Sequence, residues 1–225
     1  MVDIIQYTLR EGRIYVECAW KTVVLIPNGN GEFCSISIVD VIWKAVFGVV
    51  NFRIGLTVDF HDTLHGFRAV RGMGTAYLEV KLTHKLTEMR EKVFYKIFLN
   101  LQKNYGTLER EHCMEILVRY GIGPYTPRVL RLYWYHLLMV DQAGQYYGVP
   151  FPGLSGVTQG DPLSPTIFKM VVDAVIWNWV MQVTGEDPAS VGLGWAIQCL
   201  TEFFTRMAGS WLCRNRPNFR RNWKF

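Results

Sequence analysis

An α+β fold is what this chain of 225 residues predicts. Three observations carry the expectation. Segments of helical spacing and segments of strand-like composition both occur, and they do not follow a strict β-α-β alternation. Half the residues are apolar and 14% are aromatic, enough for a real core rather than a disordered chain. The length suits one domain, or two, and no internal repeat or low-complexity block interrupts it.

Taken in order, residues 22–38 read as a hairpin. Thr22 to Ile26 leads into Asn28-Gly29-Asn30-Gly31, whose Asn-Gly pairs supply the positive φ angles of a tight turn, and Phe33 to Ile38 returns. The apolar stretch Val39 to Val50 predicts a helix. Residues 75–90 predict an amphipathic helix, with Leu78, Leu82, Leu86 and Met89 on one stripe among Glu79, Lys81, Lys85 and Glu88. Val93 to Leu99, apolar except for Lys96, has the composition of a mostly buried strand. Helical spacing returns over 108–120 and stops at Gly121, with Pro124 beyond. A further helix is expected from Val129 to Val140, then a second hairpin at Ala143-Gly144, a glycine-punctuated loop, and a helix from Ser164 to Val183. Gly185 to Gly194 reads as a loop and Trp195 to Phe204 as a last regular segment.

Composition narrows the function classes. The start Met1-Val2-Asp3 lacks the basic residues of a signal peptide, and the apolar run from Ile36 to Val50 is broken by Asp40 and Lys44, too short and too charged to cross a bilayer. No membrane role is expected. Cys18, Cys34, Cys113, Cys199 and Cys213 form no C-x-x-C pair and read as free thiols of an intracellular, reducing compartment. The net charge of +5 is unevenly placed: six basic residues and no acidic one lie from Arg206 onward, which leaves the body close to neutral. A nucleic-acid enzyme is expected to spread its basic residues along a cleft, so the basic balance says little about the body of the chain.

The densest signal is Ser155-Gly156-Val157-Thr158-Gln159-Gly160-Asp161-Pro162-Leu163-Ser164-Pro165-Thr166-Ile167-Phe168. Two glycines let the backbone pass close to a ligand, each proline extends the residue before it, and Ser164-Pro165 reads as helix cap and first helical position. Gln159 is therefore expected on a loop at the mouth of a helix. The stretch resembles the substrate-and-template loop of reverse transcriptases, S-G-x-x-Q-G-x-P-L-S-P-x-x-F, at every specified position. Four further blocks are similar to the same family, in the group of mobile introns and non-LTR retrotransposons: the Val23 to Ile38 hairpin, His65-Gly66-Phe67-Arg68 with Arg71-Gly72, Phe98 to Arg110, and Phe203 to Gly209.

The resemblance implies a right-hand polymerase, with fingers over 1–90 and a partial palm over 91–204. It implies RNA-templated DNA synthesis on an RNA template and a DNA primer, with Mg²⁺ as the family's cofactor. Two Mg²⁺ ions held by hard anionic oxygens would join the primer oxygen to the incoming triphosphate. Tyr105 matches the family's aromatic gate against the ribose 2′-hydroxyl. With Gln159 and Gly160 it makes the implied nucleotide-binding set, and Arg68 and Arg71 are the implied template contacts.

The metal-binding carboxylates are missing. The family's F-L-D-L-x-K-A-Y-D stands here as Phe98-Leu99-Asn100-Leu101-Gln102-Lys103-Asn104-Tyr105-Gly106, so Asn100 replaces the first Asp. The second box, Y-A-D-D, is replaced by Thr205-Arg206-Met207-Ala208, with Met207 and Ala208 where the two Asp belong. Codons for Tyr-Ala-Asp read one base late spell Thr-Arg-Met, which points to a frameshift and an out-of-frame basic tail over 205–225; Ala208 requires one further substitution. The hairpin has also exchanged a family Lys for Asn28 and a family Arg for Cys34. The expectation is a reverse-transcriptase relative that is catalytically inactive and binds no metal. Its alternatives are a non-catalytic nucleic-acid-binding remnant and a degenerate reading frame without function. His61, Asp62 and His65 have metal-like spacing but read as polar surface or a cap, and Arg71-Gly72-Met73-Gly74 reads as a helix-entry turn rather than a phosphate cradle.

Overall fold

The computed structural model describes residues 2–13, 18–27, 29, 33–93, 101 and 104–184, with the helix backbone alone over 179–184. Asn28, Asn100, Met207 and Ala208 lie outside the described residues, as does the strand expected at Val93 to Leu99 apart from Val93, and everything expected beyond residue 184. Among the described residues there are six helices and one five-stranded sheet, so the fold is mixed helix and sheet, as expected. None of the helices is long and apolar enough to cross a membrane. The chain divides into two compact units, each made of two separate stretches: Met1–Asp59 with Lys103–Phe168, and Phe60–Gln102 with Lys169–Phe225.

The first unit holds the sheet. Strand β1 (Trp20–Pro27) and strand β2 (Phe33–Val39) form the expected antiparallel hairpin, with Val24 opposite Ile36. Strand β3 (Leu138–Ala143) lies parallel to β1 on its other side, setting Trp20 against Leu138. Strand β4 (Tyr146–Tyr147) turns back on β3 through Gly144, whose φ of 64° fits the expected second hairpin. Strand β5 (Phe151–Pro152) also pairs with β3. In β1 the covered face takes Lys21 and Val23 while Trp20 remains exposed, the period of two that a half-covered strand requires.

Helices cover that face. Helix α1 (Val2–Glu11), which the pattern reading did not anticipate, contacts α2 (Val41–Thr57) and α5 (Tyr125–Tyr135). Helix α2 starts where the Asp40 carboxylate accepts from the Ile42 N–H at 2.8 Å. It buries Trp43, Val46, Phe47, Val50 and Ile54, the i, i+3, i+4, i+7 spacing of one face. Trp43, Phe47 and Tyr133 form the aromatic centre, with ring centroids 4.5–5.1 Å apart. Helix α4 (Arg110–Arg119) packs on α5 and adds buried Cys113, Met114, Ile116 and Leu117. The helix expected from Val129 to Val140 is corrected here: α5 ends at Tyr135, and Leu138 onward is strand. Apolar residues suit either state, and pairing with β1 decides it for the last of them.

Helix α6 (Ser164–Thr184) begins in the first unit and continues into the second, close to the span expected. The second unit also contains helix α3 (Met73–Met89), entered at Gly72 with the Thr75 hydroxyl bonded to both Gly72 backbone groups, so Arg71 to Gly74 is a helix entry. Helix α3 buries no residue at all. Its expected apolar stripe lies exposed, against the usual placement of such a stripe on a core. Among the described residues, Cys18, Cys34 and Cys113 form no disulfide.

Candidate functional site

The glycine-punctuated loop is fixed in the first unit from three sides. On one side the Val157 N–H donates to the Tyr105 carbonyl at 2.8 Å, and Gly156, at φ 70°, lies so close that a Cβ would meet the Gly106 Cα at 2.6 Å. On the second, the Ser37 N–H of β2 donates to the Gln159 carbonyl at 2.7 Å. Gly160, at φ 108°, passes so near the Ser37 carbonyl oxygen that no side chain fits. On the third, Arg110 donates from Nε to the Gly156 carbonyl at 2.9 Å and from its terminal nitrogens to Ser155 and Trp134 carbonyls, with its guanidinium 5.3 Å from the Trp134 ring centroid. The side on which each of these glycines lacks a Cβ is thus taken by backbone of the same unit.

Beneath the loop sits a buried ion pair that no motif had singled out. Lys21, 1% exposed, donates from Nζ to the Thr158 hydroxyl at 2.5 Å, stands 3.8 Å from the Asp161 carboxylate, and lies 4.7 Å from the Tyr133 ring centroid. Asp161 holds the helix entry as well: its carboxylate accepts from the Leu163 N–H at 2.8 Å and its backbone carbonyl from the Ser164 N–H at 3.3 Å. The capping role expected of Ser164 therefore belongs to Asp161, and Ser164 is already helical. Burial pulls the Lys21 ammonium down to about 8 against the opposing pull of Asp161, with Arg110 lowering it further. Burial likewise pushes the Asp161 carboxyl up, although Lys21 opposes it. Desolvation exceeds attraction for both partners. Sequence alternation carried a signal for Lys21: it shares the inward phase of Val23.

What this framework presents outward is small. Gln159 and Gly160 are exposed. Tyr105 is half-buried, its ring 5.6 Å from that of Phe168, and burial pushes its phenol up. The structure ties the Tyr105-Gly106 backbone to Gly156 and Val157, on the same loop that carries Gln159 and Gly160 and that is tied to the hairpin at Ser37. An amide that donates and accepts on a rigid loop can read a flat polar ligand. The nearby thiol of Cys113 is buried and pushed up to about 12, far from a reactive thiolate. Cys34 is half-buried in β2 opposite Ile26. A separate cleft of about 660 Å³ is lined by Trp20, Thr22, Ile38, Lys44, Val140 and Tyr147, and neither Gln159 nor Tyr105 reaches it.

Arg68 and Arg71 belong to the second unit, where both are engaged by their own loop. Arg68 donates to the His61 and Leu64 carbonyls at 3.0 and 3.3 Å. Arg71 pairs with Asp62 at 2.6 Å and also reaches its carbonyl. His65 pairs with Glu79, and the His61 N–H donates to Asp173 at 2.7 Å. Lys169 donates to the Phe67 carbonyl at 3.0 Å over the Phe60 ring, and its ammonium is pulled down by burial and then by Arg68. These contacts fold the 60–72 segment. Among the described residues no group of three His, Cys, Asp or Glu side chains could hold a metal ion. No known family model matches this chain.

Proposed function

We propose that the chain is a reverse-transcriptase-type fingers and partial palm, related to RNA-directed DNA polymerases, that keeps a nucleic-acid-contacting loop and lacks the chemistry. One observation carries the reading: the hairpin at Ser37, the Tyr105-Gly106 turn and the Gln159 loop meet in one unit through direct backbone contacts. Those are three of the five blocks on which the resemblance rests, and a chance motif match gives no reason for them to converge. In this reading Gln159 and Tyr105 face a nucleotide or a template base, while Asn100, Met207 and Ala208 stand where carboxylates would hold two Mg²⁺ ions. An amide and two uncharged side chains supply too little anionic oxygen for that task.

The test has two arms. With RNA template, DNA primer and Mg²⁺ or Mn²⁺, the full chain is expected to extend no primer above the level of a Gln159→Ala variant; extension above it sinks the claim of inactivity. In fluorescence anisotropy with the same duplex, Gln159→Ala is expected to weaken binding about five- to tenfold, the worth of one or two hydrogen bonds. Equal binding by both proteins sinks the role given to the loop.

A further inference from the structure

The apolar stripe of α3 is turned to solvent. Ala76, Glu79, Thr83 and Thr87 are its least exposed side, and their polar groups have local partners: Glu79 holds His65, the Thr83 hydroxyl donates to the Glu79 carbonyl, and the Thr87 hydroxyl to the Thr83 carbonyl. Leu78, Leu82, Leu86 and Met89 are 53–71% exposed, on a neighbouring face. Four large apolar side chains in one row over three turns make a contiguous patch of the kind that marks an interaction surface.

We infer that this stripe pairs with a second copy of the chain, helix against antiparallel helix. The charges flanking the stripe select that partner, because they complement themselves under a two-fold rotation. With the axis between Leu82 and Leu86, Leu82 meets the partner's Leu86 and Leu78 meets the partner's Met89. The same register brings Lys81 to the partner's Glu88, twice by symmetry. Glu88 pairs with Lys85, 3.0 Å away on an exposed face, a surface contact weak enough to exchange partners.

Sedimentation equilibrium on the full chain reads the proposal. The mass of the unaltered protein is expected to rise with concentration from 26.0 kDa toward twice that value and to stop there. Leu82→Glu with Leu86→Glu is expected to hold the mass at the monomer value. Lys81→Glu is expected to weaken association, and adding Glu88→Lys to restore it, which lost folding or general stickiness cannot imitate. A monomer at every concentration overturns the proposal, since the stripe is then covered within one chain or left open. Association that continues past the dimer, or that ignores the charge exchange, overturns it equally.

Discussion

Lys21 and Asp161 are each less favourably charged in the folded chain than in water, and that sets a pH dependence. The folded Lys21 ammonium titrates at about 8 against an ordinary 10.5. Between those values the unfolded chain holds a proton that the folded one has released, so stability rises with pH across the window. The shift corresponds to ~3 kcal/mol at full development. Urea denaturation from neutral pH to pH 10 is expected to show this rise in the unaltered protein and to lose it in Lys21→Met with Asp161→Asn. That double variant, free of buried charge, is expected to match or exceed the parent at neutral pH; a double variant several kcal/mol less stable would mean that the pair is net stabilising. Tyr133 supplies a second case. Its hydroxyl, like the Trp43 Nε1, is buried without a partner among the described residues. Tyr133→Phe is expected to be neutral or stabilising by up to about 1 kcal/mol, and a clear fall in melting temperature would show that the hydroxyl is bonded. Neither residue stood out in the sequence. A motif records residues kept for what they touch outside, whereas Lys21 and Tyr133 are defined by neighbours more than a hundred positions away or on another helix.

At the scale of elements, two glycines with the same name do opposite things. Gly48 lies inside α2 with open space where a Cβ would go, so Gly48→Ala is expected to stabilise by ~0.5–1 kcal/mol. Gly160 combines a φ of 108° with the close approach to Ser37, and Gly160→Ala is expected to cost ~2–4 kcal/mol as the loop leaves β2. Differential scanning calorimetry on the two variants separates them, and equal melting temperatures would show that the loop is not held by that approach. The sequence made several elements legible: the Asn-Gly hairpin, the helix of the apolar run from Val39 to Val50, and the helix from Ser164. It misplaced the end of α5, because the run at Leu137 to Val140 is equally apolar as helix or strand and only β1 decides between them. It found the stripe on α3 but not its direction, since periodicity gives the face and not the neighbour. The loop at Gln159 was visible as a loop, while its anchors Lys21, Asp161 and Arg110 were not.

At the scale of the whole molecule, charge and fold separate. The residues before Arg206 carry 18 basic against 19 acidic side chains, and the last twenty carry six basic and no acidic ones. Removing residues 205–225 is therefore expected to lower affinity for single-stranded RNA about tenfold or more at low salt and to flatten its salt dependence. An unchanged salt slope in anisotropy titrations would place the electrostatic contact on the body instead. The mixed class of the fold was legible from the spacing of its segments; the interleaving of its two units was not, because nothing local in Asp59-Phe60 or Phe168-Lys169 marks a boundary. The parallel pairing of β1 with β3 adds a matter of timing. Trp20 must wait for Leu138, so during synthesis the hairpin leaves the ribosome with one edge bare. At about 5–20 residues per second that edge stays unpaired for on the order of ten seconds, long enough for a neighbouring nascent chain to claim it, and a synonymous slow codon placed between the two strands would lengthen the exposure without changing a single amino acid.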